Sequence, residues 1–581
     1  MLKDIDWVKS ALLLGMGICI LILFREWDEF KQARNSLEAQ VSEAGTTANA
    51  ASSAPVSELP AASGSPEDNS LPEVQATDAQ SPAAISTPAT SRNLIQVTTD
   101  VLELQIDPHG GDLVSTKLLE HVHSGNDDSP YQLLINSNNR TYVARSGLIG
   151  NNGTDTQQGR PLFSSSASSY SLMENQDQLS VDLNYQQGDV LITKRFTFHR
   201  EDYLIDIEYL IDNQSDSNWS AAFYGQINRD DYIPDIDSMF GAAPYVGAAV
   251  TTPEERYKKV EFEDIADVRY RESVDTGWIA LLERYFLSAW IPVEGQQVSY
   301  DLRKSPTRDL YYIGFTQPEF SVASGQQGSI KAGFYVGPKD QYRLRDIAQH
   351  LDLTVDYGWL WWAAQPLYAV LYFIQSGEVH SFNLDLQLFP GFTNWGVSII
   401  LLTLIVKLIL FPLSAASYKS MARMRKLTPK MTALRERYGD DRQAMSQEMM
   451  KLYQKEKVNP MGGCLPMLLQ MPIFIALYWV LLESVEIRHA PFFGWIQDLS
   501  AKDPWFVLPL IMGASMWFQQ KLNPPPPDPT QAKVMQMMPI MFTFMFMWFP
   551  SGLVLYWTVN NLLSITQQWI ITRQIEKGNV K

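Results

Sequence analysis

The spacing of hydrophobic positions changes several times along the chain, and each change marks a different kind of structure. Trp7 to Phe24 is an apolar run broken only by Lys9 and Ser10, about as long as a membrane-spanning helix needs. Arg25-Glu26-Trp27-Asp28-Glu29 follows it in place of a small-residue cleavage site, so residues 1–24 read as an uncleaved anchor. Residues 40–92 are rich in Ala, Ser, Thr, Pro and Glu and show no apolar period. The segment 25–93 is therefore expected to be a disordered linker, unable to bury enough apolar surface to offset its ordering entropy.

From 94 to 345 the period becomes two. Leu102, Leu104 and Ile106 alternate with polar neighbours, Leu204, Ile205, Ile207, Tyr209 and Leu210 follow Asp202-Tyr203, and 331–337 is a further strand bounded by Gly337. His109-Gly110-Gly111-Asp112 and Asn151-Asn152-Gly153 are turn signals between runs. This region predicts a large all-β sandwich whose polar residues are solvated strand faces; no metal cluster or nucleophile motif stands out in it.

Residues 346–393 contain Gly358 to Gln375, apolar but studded with Trp359, Trp361, Trp362, Tyr368 and Tyr372, an amphipathic character suited to headgroup level. From 394 to 581 come apolar runs at about 394–412, 462–482, 505–520, 534–549 and 552–572, the last two divided by Phe549-Pro550-Ser551-Gly552. The whole pattern predicts a membrane α-helical bundle of six spans, five forming the core, plus the β-sandwich domain. Between the first two core runs, 414–458 predicts a helical hairpin, its first helix interrupted near Pro429. Met421, Met424, Met431, Met445, Met449 and Met450 give this hairpin a soft apolar face. That face either packs on itself or the membrane, or adapts its shape to capture varied apolar segments.

Charge sets the orientation. Mean hydropathy is only −0.14, but the average hides a split. Residues 25–393 carry 51 acidic and 25 basic residues, net −26, whereas 394–581 carry 11 and 19, net +8. The loop 413–461 alone holds eleven Lys and Arg, which places it in the cytoplasm and the β domain on the other side. The segment 358–375 then lies on the outer interface, because a further span there would put both on one side. So acidic a soluble domain excludes direct nucleic-acid binding. Cys19 and Cys464 both lie in apolar segments and form neither a disulfide framework nor a metal site.

Lys407 sits between Leu404-Ile405-Val406 and Leu408-Ile409-Leu410, with no acidic residue in any core run to neutralise it. An unpaired charge at mid-span costs on the order of 2.5–3.5 kcal/mol. The residues leave two readings: the ammonium snorkels to the cytoplasmic interface, or it faces a hydrated cavity between helices. Thr403 is on the same helical face, and Gln470, Ser515, Thr558, Asn560, Asn561, Gln567 and Gln568 are available to line such an interior.

Several motifs together resemble a known family. Lys419-Ser420-Met421-Ala422-Arg423-Met424 with Pro429-Lys430, Asn459-Pro460-Met461-Gly462-Gly463-Cys464-Leu465-Pro466, Gln470-Met471-Pro472-Ile473-Phe474 and Phe549-Pro550-Ser551-Gly552-Leu553 look like a YidC-type membrane protein insertase of the Gram-negative inner membrane. The resemblance implies a groove open to cytoplasm and lipid, holding a positive residue, most often Arg, at the position of Lys407. It also implies that Thr403, Gln470, Met471, Phe474, Tyr556 and Trp557 contact substrate or line the groove. The hairpin, with Met421, Met424, Arg425, Met431, Met445 and Met449, is similar to the family's mobile cytoplasmic hairpin. The β domain is similar to a mutarotase-like sandwich without its catalytic site.

The implied activity is insertion and folding of inner-membrane proteins, alone or with a Sec-type translocon. The implied partners are nascent membrane proteins, the lipid bilayer, and the ribosome or targeting factors. Both termini are expected in the cytoplasm and the β domain in the periplasm. No enzyme activity or cofactor is expected, and no G-x-x-x-x-G-K-[ST] loop is present. Two rivals are a small-solute transporter binding an anion at Lys407, for which no inverted repeat is visible in 394–572, and an anchored periplasmic carbohydrate-binding protein.

Overall fold

The computed structural model describes residues 93–124, 127–156, 159–233, 244–381, 384–438, 441–456, 458, 465–523 and 529–576; the expected anchor, almost all of the expected linker, Cys19 and Cys464 lie outside them. Two large sheets, one of ten strands and one of nine, form a sandwich over 95–338. The period-two reading is visible in the strand Leu204–Asn213, whose residues alternate strictly between half-buried and buried. It pairs antiparallel with Val190–His199 on one side and Gln326–Pro338 on the other. The strand Ile279–Leu282 is buried at every position.

Between the sheets, Trp290 is fully buried against the rings of Phe223, Phe315 and Phe334. A hydroxyl contact at 2.7 Å between Tyr142 and Ser288 ties one sheet to the other.

The helices are α1 (Phe262–Asp267), α2 (Gln341–Ile347), α3 (Trp361–Ser376), α4 (Trp395–Ile409), α5 (Phe411–Tyr438), α6 (Arg442–Lys455), α7 (Leu465–Glu483), α8 (Val507–Leu522), α9 (Pro529–Phe546) and α10 (Ser551–Glu576). Asp340 ends the sandwich and caps α2, its carboxylate accepting from the backbone N–H of Tyr342 at 2.9 Å and of Arg343 at 3.0 Å. In α3, Ala364, Tyr368, Leu371 and Ile374 form one buried stripe. They pack toward α4 and α7, while Trp361 and Trp362 stay 58% exposed.

Among the described residues, no single helix is long and apolar enough to cross a membrane unaided; α4 and α5 meet that test as a pair, bent by 67°. The break falls at Leu410, so the expected continuous run 394–412 is instead a helix, a corner and the start of α5. Pro412 sits in the first turn of α5, where a missing N–H is harmless. The expected interruption near Pro429 is absent: α5 runs through it. Arg425, four residues earlier, is exposed, so water can solvate the carbonyl that Pro429 leaves unbonded.

One loop joins the sandwich to the helices. Lys339 faces Glu483 at the end of α7 at 3.4 Å, and Tyr368 of α3 donates to Glu486 at 2.7 Å. The Arg488 guanidinium lies 5.4–5.7 Å from the ring centres of Tyr131, Tyr285 and Phe286 and donates to the His123 carbonyl at 2.9 Å. Burial pushes the Glu486 carboxyl up to about 7, with nearby Asp340 adding to the shift. Its Oε2 is buried without a partner.

Candidate functional site: a lysine in a methionine-walled groove

Lys407 is 5% exposed and belongs to α4, whose first turn is fixed by Asn394 accepting from Val397 N–H at 3.1 Å. Its ammonium donates to Ser564 of α10 at 2.7 Å. The Ser564 hydroxyl in turn donates to the Asn560 carbonyl at 2.7 Å, a back-bond along its own helix. A serine has one proton, so Ser564 must accept from Lys407, and the charge is held by a neutral oxygen. Among the described residues no carboxylate lies within ion-pair distance of Lys407.

Around this contact is a cavity of about 170 Å³ between α4, α5, α7, α8, α9 and α10. Its polar wall includes Gln470, Asn560 and Asn561. Gln470 donates to the Asn560 side chain and makes a long 3.5 Å contact with the Tyr556 hydroxyl, and Asn561 donates to Ser515 at 3.2 Å. Trp557 also lines the cavity, its ring edge-on to Phe474 at 4.6 Å and its indole Nε1 buried without a partner. Five methionines also line it: Met421, Met471, Met516, Met535 and Met538. Thioether walls are soft and adapt to irregular apolar shapes.

The expected site residues are not all brought together. Lys407, Gln470, Met471, Trp557 and Met421 share the cavity. Phe474 stands behind Trp557, and Tyr556 is 1% exposed beneath Gln470. Thr403 is 1% exposed and is not among the lining residues; its hydroxyl donates to the Ile399 carbonyl of its own helix at 2.7 Å. In the hairpin, Met424, Met431 and Met449 pack with Leu427, Leu452, Tyr453 and Val458 into a small core of their own. Met445 is half-buried and Arg425 is exposed.

Sequence reasoning missed Ser564, Met516, Met535 and Met538. Ser564 was within reach, since it lies four residues after Asn560 on the same helical face. The methionines come from α8 and α9, and only tertiary packing turns them toward Lys407.

The β domain holds a second buried lysine, of another kind. Lys194 donates to three backbone carbonyls, Gly110 at 3.0 Å, Gly111 at 2.8 Å and Ser146 at 3.1 Å. Gly110 and Gly111 adopt positive φ to aim those carbonyls, and a Cβ on Gly111 would lie 2.9 Å from the lysine chain. Beside it Arg160 bridges Asp112 and Asp155, at 2.5 and 2.7 Å. Burial pushes the Lys194 amine down to about 7, with the nearby Asp112 opposing the shift. The expectation that the domain's polar residues are solvated strand faces fails here: turn geometry supplies enough partners to bury them.

Comparison with known proteins agrees with this architecture. The model of the YidC periplasmic domain matches residues 94–370, and that of the 60Kd inner membrane protein matches 387–578. A membrane protein insertase YidC of Cellvibrio japonicus is 55% identical over 99% of this chain and 100% of its own. One of Saccharophagus degradans is 53% identical over 87% of each. A crystal structure of an active YidC insertase, with its first transmembrane domain resolved, covers 82% of this chain and 92% of its own at 21% identity and a TM-score of 0.37. With both parts of the chain matched, and relatives this similar along nearly its whole length, the chain belongs to the YidC family of membrane protein insertases.

Proposed function

We infer that this chain inserts nascent membrane proteins into the inner membrane and helps them fold, without catalysing a chemical step. The observation that carries the groove mechanism is the Lys407 ammonium held by a neutral serine in a cavity lined by both polar side chains and methionines. A polar or acidic client tail pauses at the ammonium and the polar side chains. The client's apolar helix leaves along the methionines into lipid, driven by hydrophobic partition. The polarised membrane adds about 2.3 kcal/mol per negative charge per 100 mV for tails moving outward.

In this reading the chain has six spans, five of them in the core, with both termini in the cytoplasm and the β domain in the periplasm. The eleven basic residues of 413–461 support that orientation. The exposed Trp359, Trp361 and Trp362 support an interfacial position for α3. The bent pair α4–α5 serves as one span with its corner at the cytoplasmic side. Clients arrive from ribosomes or targeting factors and are inserted by this chain alone or beside a Sec-type translocon.

Site-specific photocrosslinking to a stalled single-span client tests the groove. Probes at Trp557 and Met471 are expected to crosslink the client strongly, and a probe at Thr403 weakly. Crosslinks confined to the β domain would overturn the reading.

A further inference from the structure

A second cavity, of about 270 Å³, lies where the sandwich meets the helices and is separate from the groove. Lys259, Lys339 and Tyr257 of the sandwich, Asp356 of the connector, and Trp479 and Glu483 of α7 line it. Its charges are balanced as two cations and two carboxylates, and one of the two pairs is poorly satisfied. Lys339 is 3% exposed, yet its two contacts, to Glu483 and to the Thr354 carbonyl, are both 3.4 Å long. That exceeds the 2.7–3.2 Å of a good N–H···O bond. An ammonium buried with three donors and no short bond lacks an acceptor. The Tyr257 hydroxyl is also buried with no partner. Lys259 pairs with Asp356 and sits 4.8 and 5.8 Å from the ring centres of Tyr245 and Tyr257.

We propose that this cavity binds the phosphoethanolamine headgroup of an outer-leaflet phospholipid. The phosphate supplies acceptors to the Lys339 ammonium and the Tyr257 hydroxyl, which the protein leaves without good partners. The ethanolamine ammonium meets the Glu483 carboxylate and the face of Trp479. A purely anionic headgroup would give the neutral quartet a net negative charge, whereas a zwitterion leaves it neutral, so the balanced quartet selects a zwitterion. Location fits the source, because the cavity is bounded by the end of α7 and by Gly358, the first residue of the turn leading into α3. The proposal rests on the periplasmic placement of the β domain, which puts these ends at headgroup level.

Tyr257→Phe is the informative variant, since its hydroxyl bonds nothing in the protein and its removal should leave folding intact. Full-length protein in nanodiscs of mixed phosphatidylethanolamine and phosphatidylglycerol is released into detergent, and retained lipid is read by native mass spectrometry. The wild type is expected to retain one phosphatidylethanolamine in preference to phosphatidylglycerol. Tyr257→Phe should lower that retention about tenfold, as loss of one hydrogen bond to a charged group implies, at an unchanged melting temperature.

Equal retention of the two lipids, or the same retention in Tyr257→Phe, overturns the proposal. A parallel arm adds soluble glycerophosphoethanolamine to delipidated protein. Binding there without lipid retention moves the site to a soluble ligand and overturns the lipid assignment. Leu162→Cys, on an exposed site of the sandwich, tests the orientation separately. Labelling by an impermeant thiol reagent from outside intact spheroplasts, relative to wild type, keeps the topology even if lipid retention fails.

Discussion

The sandwich and the helical core each bury a lysine, and they treat it oppositely. Lys194 is held by three carbonyls, two from a turn and one from the strand Thr141–Ile149, beside an arginine that neutralises two aspartates. Lys407 is held by one neutral serine, and its remaining donors face a cavity. Burying a charge is costly in either place. Where every donor is satisfied, the charge has its partners within the fold; where donors are left over, it is open to whatever enters the cavity.

The largest expected effect lies on the satisfied side. Arg160→Ala leaves Asp155 buried without its cation, and Asp112 with Arg145 alone at 3.1 Å, and should cost the sandwich about 3–5 kcal/mol, read by denaturant unfolding followed through tryptophan fluorescence. Lys407→Ala strands no carboxylate, so its unfolding midpoint should stay at or above that of the wild type. Its insertion of clients with acidic translocated tails should fall about tenfold, a loss of about 1.4 kcal/mol, in a protease-protection assay. Clients with uncharged tails should be little affected, and Lys407→Arg should be mild. A destabilised Lys407→Ala protein would erase the contrast between the two lysines.

Ser564→Ala should give a smaller deficit on the same acidic-tail clients, about threefold. Ser564→Thr keeps the accepting oxygen and should insert them normally. In a Lys407→Ala background Ser564→Ala should add nothing, because its partner is already gone.

The last effect concerns the loop between the regions. Glu486 keeps its proton in the folded chain up to about 7, against an ordinary value of 4.5. Its contribution is therefore full at low pH and is lost as pH rises through 7. Between pH 5 and pH 8 the wild type should lose on the order of 1 kcal/mol more stability than Glu486→Gln. Parallel pH profiles for the two would assign the buried carboxylate no such role.

How far the sequence is legible follows from where each signal resides. Strand alternation was readable in Leu204–Asn213 because one face meets the core and the other does not. The apolar runs after 394 are occupied by helices, and Lys407 stood out because a charge among Leu and Ile is conspicuous in one dimension. Its partner did not, because serines are common in helices and this one lies 157 positions away. The hairpin methionines were visible as a face, but sequence could not say that Met424 and Met431 turn inward while Met516 and Met538 supply the cavity wall. The bend at Leu410 was hidden because Leu-Phe-Pro reads equally as the end of one helix or the start of another.

Arg488, seated among Tyr131, Tyr285 and Phe286, has a mechanical consequence. It sits five residues past the end of α7, the helix that contributes Gln470 and Met471 to the cavity. With Lys339 on Glu483 and Tyr368 on Glu486, that short segment works as a crank joining groove to sandwich. A tilt of α7 on admitting a client is therefore expected to turn the sandwich with it. A fluorophore pair far from the lipid, one dye on the sandwich and one on the hairpin, would therefore register each loading event as a change in transfer efficiency.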